Sequence, residues 1–445
     1  MIIRSISGVR GLTSAHLNTE TISAYARAFH KYNDNGLIFL GRDTRPSGEN
    51  LLEVFSQELV RLGRDVIDCG VVPTPTVQFM VERSEAAGGV VITASHNPIE
   101  WNGLKFVRSD GTFFYPDDCK SLFSLVDNDS PIQDAEKSGM VFPDQNSILK
   151  HSIKVIELSC IDSKSIRDSN FKVVIDAVNG AGSDALPLLL EHLGCEVVKI
   201  LCEGNGHFER GAEPLPANLD LLSKTVLEHN ADVGFAVDPD ADRLALVNEN
   251  GIPLGEEYTL VLAAEGYIQT KKTKQTFVTN LSTSLALEKM AENYGCLVER
   301  SAVGEINVVK KMLEVGAEFG GEGNGGVILK EAHLGRDSLV GVAMILNRMS
   351  QDKKPISEIH SSLPQFYIVK DKIDLENIDL NFVLDKAKLV FEDAKIDRLD
   401  GIKFIWDDRW IHLRSSNTEP IMRIYAEAPS KSEATDLINK IKNNI

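Results

Sequence analysis

The chain has 445 residues, too many for one hydrophobic core, and roughly one domain per 100–200 residues gives about two to four domains. With 43% hydrophobic and 25% charged residues it is neither disordered, fibrous nor coiled coil. The excess of 65 Asp+Glu over 47 Lys+Arg, a formal charge of -18, argues against nucleic acid and anionic membrane as partners. The start, MIIRSISGVRG, has charge and glycine where a signal peptide needs an apolar run, and no window approaches ~18 apolar residues. A cytoplasmic location is expected. The six cysteines are scattered, with no CxxC pair and no Cys/His cluster at zinc spacing, and are read as free thiols.

Strands and helices alternate through the first three quarters. LIFLGRD (37–43) reads as a strand, NLLEVFSQELVRLG (50–63) as a helix, DVIDCG (65–70) and GGVVITAS (88–95) as strands. A polar stretch around 127–150 reads as a break. FKVVIDAVNGAG (171–182) restarts the pattern as a strand running into a glycine turn. The helical LPLLLEHLG (186–194) and the strand CEVVKI (195–200) follow. ADVGFAVDPDADRLALV (231–247) is two apolar strands around an acidic turn. A third round has helices over 258–268 and 283–295, a strand over 275–280, and a glycine-rich turn between short strands over 319–329. From about 366 the rhythm changes to hairpins and two helices. The partition expected is 1–150, 151–250 and 251–365 as α/β units and 366–445 as α+β, with no sequence repeat of fixed period.

Four segments carry chemistry-bearing residues. Thr93-Ala94-Ser95-His96-Asn97-Pro98 follows an apolar strand, where open α/β sheets bind ligands. Ser95 is either an exposed nucleophile, with His96 and Lys105 near enough to assist, or a plain loop serine. Asp238, Asp240 and Asp242 alternate in DPDADR, and like charges this close raise one another's pKa unless a cation neutralises them. An all-oxygen site suits Mg²⁺. An EF-hand fails, because Arg243 stands where glycine is needed and a strand precedes the loop. Arg243 is placed to pair with a carboxylate or a phosphate. Residues 320–326 hold five glycines with Glu322 and Asn324, polar groups suited to sugar hydroxyls, although a flexible hairpin accounts for the glycines equally well. Arg414, Ser415, Ser416, Asn417 and Thr418, with Arg423 on the next strand, read as a phosphate cradle or as a Ser/Asn turn beside a surface arginine. Two further segments are noted. Arg42 and Arg45 in GRDTRPSG suggest a structural ion network, and Arg10 between Gly8 and Gly11 suggests a phosphate contact.

In this order the segments resemble the α-D-phosphohexomutase superfamily over essentially the whole chain, with TASHNP as the phosphoserine loop, DPDADR the metal loop, GEGNGG the sugar loop and RSSNTEP the phosphate loop. The resemblance implies three related α/β domains with mixed sheets and a C-terminal α+β domain around a central cleft. It implies that Ser95 bears the transferable phosphoryl group and that Asp238, Asp240 and Asp242 with Ser95 hold one Mg²⁺. Arg10, His96, Lys105 and Arg243 then stand at the transfer site, with His96 and Lys105 the candidate bases. Glu322 reads the sugar's 3- and 4-hydroxyls, and Arg414, Ser415, Asn417, Thr418 and Arg423 clamp the phosphate that is not transferred. The implied partner is a hexose or hexosamine phosphate, with a sugar bisphosphate as intermediate and activator, on a monomer or homodimer. GEGNGG, in place of GEMSGH or GEQSGH, and Glu305 in AVGE resemble the phosphoglucosamine mutase branch. There Glu305 would offset a protonated 2-amino group. Phosphomannomutase/phosphoglucomutase activity is the alternative, and a non-catalytic sugar-phosphate binder is a remote one. Two departures from the family pattern are Ala241 for the usual glycine of DPDGDR and SGVRG for the usual FGTDGIRG.

Overall fold

The computed structural model describes residues 2–375, 380–415 and 421–444. Its first sheet contains β1 (Ile3–Ser5), β2 (Gly8–Leu12), β3 (Ile38–Arg42), β4 (Val66–Val71), β5 (Gly88–Ile92), β6 (Trp101–Arg108) and β7 (Val141–Pro143), in the order β1-β2-β6-β5-β3-β4-β7. The second contains β8 (Lys172–Asp176), β9 (Glu196–Ile200), β10 (Val233–Val237) and β11 (Leu244–Asn248), ordered β11-β10-β8-β9. The third contains β12 (Thr276–Asn280), β13 (Leu297–Ser301), β14 (Phe319–Glu322) and β15 (Gly326–Leu329), ordered β13-β12-β14-β15. The last sheet, β16 (Tyr367–Asp374), β17 (Lys395–Asp397), β18 (Ile402–Ile405), β19 (Trp410–Ser415) and β20 (Ile421–Ala428), is antiparallel in the order β16-β20-β19-β18-β17. Three mixed-sheet α/β units and one α+β unit are thus present.

A repeat absent from the sequence is present in the topology. In the first three sheets two parallel pairings run side by side, β5/β3/β4, β10/β8/β9 and β14/β12/β13. In each, one strand then returns antiparallel on the outer side: β6 after β5, β11 after β10, β15 after β14. The three connections are residues 93–100, 238–243 and 323–325. TASHNP, DPDADR and GEGNGG therefore occupy one topological position, the turn at the carboxyl end of a buried parallel strand. Strands such as β10 (VGFAV) are buried along their whole length, which is why they read as unbroken apolar runs.

The polar stretch around 127–150 is not a break throughout. It contributes β7, which pairs parallel with β4 at the sheet edge, and it starts the helix Ser147–Ile156, whose His151, Ser152 and Val155 are buried. An exposed edge strand carries no apolar signal to read. The helix Ser338–Asp352 is buried from Ser338 to Ser350, and being buried on all sides it shows no clear helical stripe in the sequence. Its N-cap, Asp337, accepts from the Leu339 N–H at 2.8 Å through Oδ1, while Oδ2 faces His151 Nε2 at 2.8 Å and His333 Nε2 at 3.2 Å. His151 Nδ1 lies 3.0 Å from the hydroxyl of Thr76, so one carboxylate ties together helices from three units. Burial opposes its ionisation, but His151 and the other bonds outweigh that and hold the carboxyl below its usual range. Asp337→Ala is expected to cost about 3–5 kcal/mol, because the loss leaves buried partners unpaired. Chemical denaturation checks this, and a loss under ~1 kcal/mol would refute it.

Candidate active site in the central cleft

A cleft of about 620 Å³ lies between the units, lined by Arg10, Ser95, His96 and Lys105 from the first, Arg243 from the second, Glu305, Glu322 and Asn324 from the third, and Arg414, Ser415 and Arg423 from the fourth. Each of the four motifs contributes residues to its lining, with Asp238, Asp240 and Asp242 fully buried behind it. Ser416, Asn417 and Thr418 lie outside the described residues.

Ser95 sits in the left-handed region at φ +50, an uncommon conformation for serine that the surroundings must hold in place. Arg45 does most of that. It is fully buried, pairs with Asp43 at 2.9 Å, and donates to the carbonyls of Ser95 (2.6 Å), Asn97 (2.7 Å), Pro98 (2.6 Å) and Trp101 (2.9 Å). This is the ion network expected of GRDTRPSG, and its task is to shape the serine loop. Thr93 adds its Oγ1 to the Ser95 N–H at 2.8 Å, and Arg10 donates to the Asn97 side chain at 2.6 Å. The Ser95 hydroxyl then donates to Asp238 Oδ2 at 3.2 Å and lies 3.4 Å from His96 Nδ1.

The three aspartates are fully buried, with ligand oxygens within 4.8 Å of one another. Asp238 Oδ1 accepts from the N–H groups of Asp242 and Arg243, both at 3.2 Å. Asp240 Oδ2 accepts from Thr74 and from Lys105, each at 2.6 Å, and Asp242 Oδ2 from Arg336 at 2.7 Å and Lys105 at 3.3 Å. Burial, then repulsion from Asp242 and Asp240, pushes Asp238 well above the carboxylate range. Burial works the same way on Asp240, but Lys105 and Thr74 outweigh it and hold that carboxyl low. Asp240 Oδ1 and Asp242 Oδ1 are buried without a hydrogen-bond partner among the described residues. Orphaned acceptors on an all-carboxylate cradle fit a hard divalent cation. Ala241, where the family has glycine, takes the left-handed conformation glycine would, φ +53, so the loop keeps its turn.

At the sugar loop Glu322 is 2% exposed. Its Oε1 accepts from Asn280 at 2.7 Å and from the Gly304 N–H at 3.0 Å, its Oε2 from Arg336 at 2.9 Å, and Asn324 Nδ2 lies 3.5 Å away. Gly325, at φ +87, is required on two grounds, since a Cβ there would lie 2.2 Å from the Leu244 carbonyl oxygen of the metal-loop hairpin. Glu305 opens the helix Glu305–Val315. Its Oε2 accepts from Arg336 at 3.0 Å, while among the described residues its Oε1 has only the Gln78 amide at 3.5 Å. Arg336 thus joins Asp242, Glu305 and Glu322 through one guanidinium.

At the far end Arg414 is held by Asp400 at 2.9 Å and lies directly opposite Arg423, which in turn lies opposite Lys372. Three cations in one cross-strand row repel one another, and an anion relieves that repulsion. At the near end Arg243 bonds Glu213 at 3.0 Å and His96 Nδ1 at 3.1 Å. Burial, then Arg243 and Arg10, carries the His96 imidazole down to about 2.

Arg336, Thr74, Asn280, Glu213 and Asp400 were not anticipated from sequence. Each is a single residue in a segment without a motif, and each meets its partner only in the folded cleft.

Phosphoglucomutase/phosphomannomutase family models match the chain in order: α/β/α domain I over residues 2–132, domain II over 150–251, domain III over 255–367 and the C-terminal domain over 380–443. A protein of Methanopyrus kandleri named "Probable phosphoglucosamine mutase" is 32% identical over 97% of this chain and 95% of its own. The "Phosphoglucomutase/phosphomannomutase" of Thermococcus kodakarensis is 35% identical over 97% and 95%. Among solved structures, a phosphoglucomutase/phosphomannomutase family protein of Burkholderia thailandensis superposes with a TM-score of 0.85 at 24% identity, over 99% of this chain and 97% of that one.

Proposed function

The chain belongs to the phosphoglucomutase/phosphomannomutase family, and from that premise we propose that it interconverts glucosamine 6-phosphate and glucosamine 1-phosphate through phospho-Ser95 and a bisphosphorylated sugar. A free sugar hydroxyl attacks the phosphoryl group on Ser95. The bond from phosphorus to Oγ breaks, a bond to the sugar oxygen forms, and the hydroxyl proton passes to a base at the transfer point, where His96 and Lys105 are the candidates. The bisphosphate then turns end over end, and its other phosphoryl group returns to Ser95. A sugar bisphosphate from solution restores phospho-Ser95 when it is lost.

Asp238, Asp240 and Asp242, with an oxygen of the Ser95 phosphoryl group, would hold one Mg²⁺, which when bound offsets charge on the transferring oxygens. Arg10 and Arg243 stand beside Ser95 and add fixed positive charge there. Arg414, Ser415 and Arg423, together with Ser416, Asn417 and Thr418, hold the phosphate that stays, which keeps the acceptor hydroxyl aligned with Ser95. Glu322 and Asn324 take the ring hydroxyls.

The observation that carries the amino-sugar assignment is Glu305, a buried cleft carboxylate whose Oε1 is left with one long contact. A protonated 2-amino group needs such an acceptor to offset its desolvation. The 35% identity to a phosphoglucomutase/phosphomannomutase favours the second reading, neutral hexose phosphates. Purified enzyme primed with the matching bisphosphates should show its highest kcat/KM on glucosamine phosphate, with weaker turnover of glucose and mannose phosphates. A tenfold advantage for either neutral sugar, about 1.4 kcal/mol the wrong way, would overturn the assignment in favour of the second reading.

A further inference from the structure

Ser95 can hand its phosphoryl group to either end of the sugar. It reaches O6 when the clamp holds a phosphate on C1, and O1 when the clamp holds a phosphate on C6. C2 is bonded to C1, so a 2-amino group travels with C1. It stands at the Ser95 end of the cleft in one orientation and at the clamp end in the other. One carboxylate cannot meet it in both places.

Glu305 belongs to the Ser95 end, since Arg336 links it to Asp242 of the metal loop. A second carboxylate, Glu257, stands at the clamp end. It lies in the first turn of the helix Glu256–Lys271, lines the cleft, and keeps 13% of its side chain exposed. Lys370, from β16 of the fourth unit, is bonded to Glu256 and lies 3.4 Å from Glu257, so two carboxylates share one ammonium. Glu257 Oε2 is itself buried without a hydrogen-bond partner among the described residues, so the part of the side chain open to the cleft lies away from that oxygen. The sugar loop runs directly over it, because a Cβ at Gly323 would fall 1.8 Å from that oxygen. The residue between Glu322 and Asn324 thus leaves room for the carboxylate.

We propose that Glu257 accepts the 2-ammonium group when the sugar's 1-phosphate occupies the clamp, with Glu305 accepting it in the opposite orientation. The assignment rests on the glucosamine reading above. Burial, and the charge of Glu256 beside it, carry the Glu257 carboxyl up to about 8 despite Lys370. A cation arriving beside it offsets the cost of burial and draws the carboxyl into its charged form.

The test is binding in a background that cannot transfer phosphate. Calorimetry with Mg²⁺ present compares Ser95→Ala with Ser95→Ala/Glu257→Gln, using glucosamine 1-phosphate, glucosamine 6-phosphate and glucose 1-phosphate. The added substitution should weaken glucosamine 1-phosphate about tenfold. The other two ligands should stay within about twofold, which also certifies the fold of the double variant. Ser95→Ala/Glu305→Gln should reverse the pattern of the two glucosamine phosphates. Equal weakening of both by Glu257→Gln, or no weakening of either, overturns the assignment while leaving the glucosamine reading intact. A parent Ser95→Ala protein that binds glucose 1-phosphate tenfold tighter than glucosamine 1-phosphate removes the reading on which it rests.

Discussion

Ser95→Ala should lower turnover by on the order of 10⁴-fold or more, a loss of about 5.4 kcal/mol of transition-state stabilisation, while leaving the folded protein intact. The side chain contributes one hydrogen bond to Asp238 and one contact to His96, and both partners keep other bonds. The loop's shape is imposed from outside by Arg45, whose bonds go to backbone carbonyls and do not involve the serine hydroxyl. Removing Oγ therefore takes away the phosphoryl acceptor and little else. Peptide mapping of the wild-type protein should find substoichiometric phosphate on Ser95. Phosphate found on another residue, with the variant fully active, would defeat the assignment.

Asp240→Asn should cut kcat by on the order of 10²–10³-fold, and chelation should abolish activity until Mg²⁺ is restored. Calorimetry gives an independent readout, since the variant should bind Mg²⁺ much more weakly than the parent. Thermal stability should change far less, because the asparagine amide oxygen can still accept from Thr74 and Lys105 in the same place. Lys105 keeps Asp242 as a partner at 3.3 Å. Undiminished turnover after verified metal removal would rule out the metal-loop reading.

What could be read in advance followed from how each group is encoded. The parallel strands were legible because burial on both faces writes them as apolar runs, and the motif turns because several polar residues stand together at a strand end. The phosphoserine and metal loops needed no partner sequence to be noticed. Arg336 could not be found that way. It is 94 residues from Asp242, and the cleft brings it to Glu305 and Glu322 only after three sheets have formed. Glu305 was legible as a carboxylate, but its pairing with Arg336 was not, and that pairing leaves it one weakly bonded oxygen where the sequence offered two. The helix Ser338–Asp352 escaped for the opposite reason, since uniform burial removes the period by which helices are recognised. The Ser/Asn turn after Arg414 falls at residues 416–418, outside the described residues, so the clamp is defined here by Arg414, Ser415 and Arg423 alone.

The hydrophobic cores divide the molecule mechanically. One apolar cluster runs from Val173 and Phe235 of the second unit into Leu260 and Val342 of the third, and another joins Phe39 and Val77 of the first to Val309 and Ile328 of the third. The fourth unit keeps an apolar cluster of its own, around Phe391, Phe404 and Leu413. Apart from Phe366 at its start, which packs against the cluster of the second and third, its links to the third are polar: His412 to Ser282 at 2.9 Å, Asp400 to the Val303 N–H at 3.0 Å, Glu427 to the Leu285 N–H at 2.8 Å, Lys403 to the Leu281 carbonyl, and Lys370 to Glu256. Shearing apart a shared core costs a hydrophobic penalty over its whole area, whereas bonds of this second kind exchange with water at about 1 kcal/mol each. In the proposed reaction the nucleophile and cation cradle accordingly belong to one stiff block, and the phosphate grip to a separate body that can yield. An intermediate that must somersault without escaping needs that division of stiffness, because the grip can loosen by a few hydrogen bonds while the loops that break and make the phosphorus–oxygen bonds stay in register.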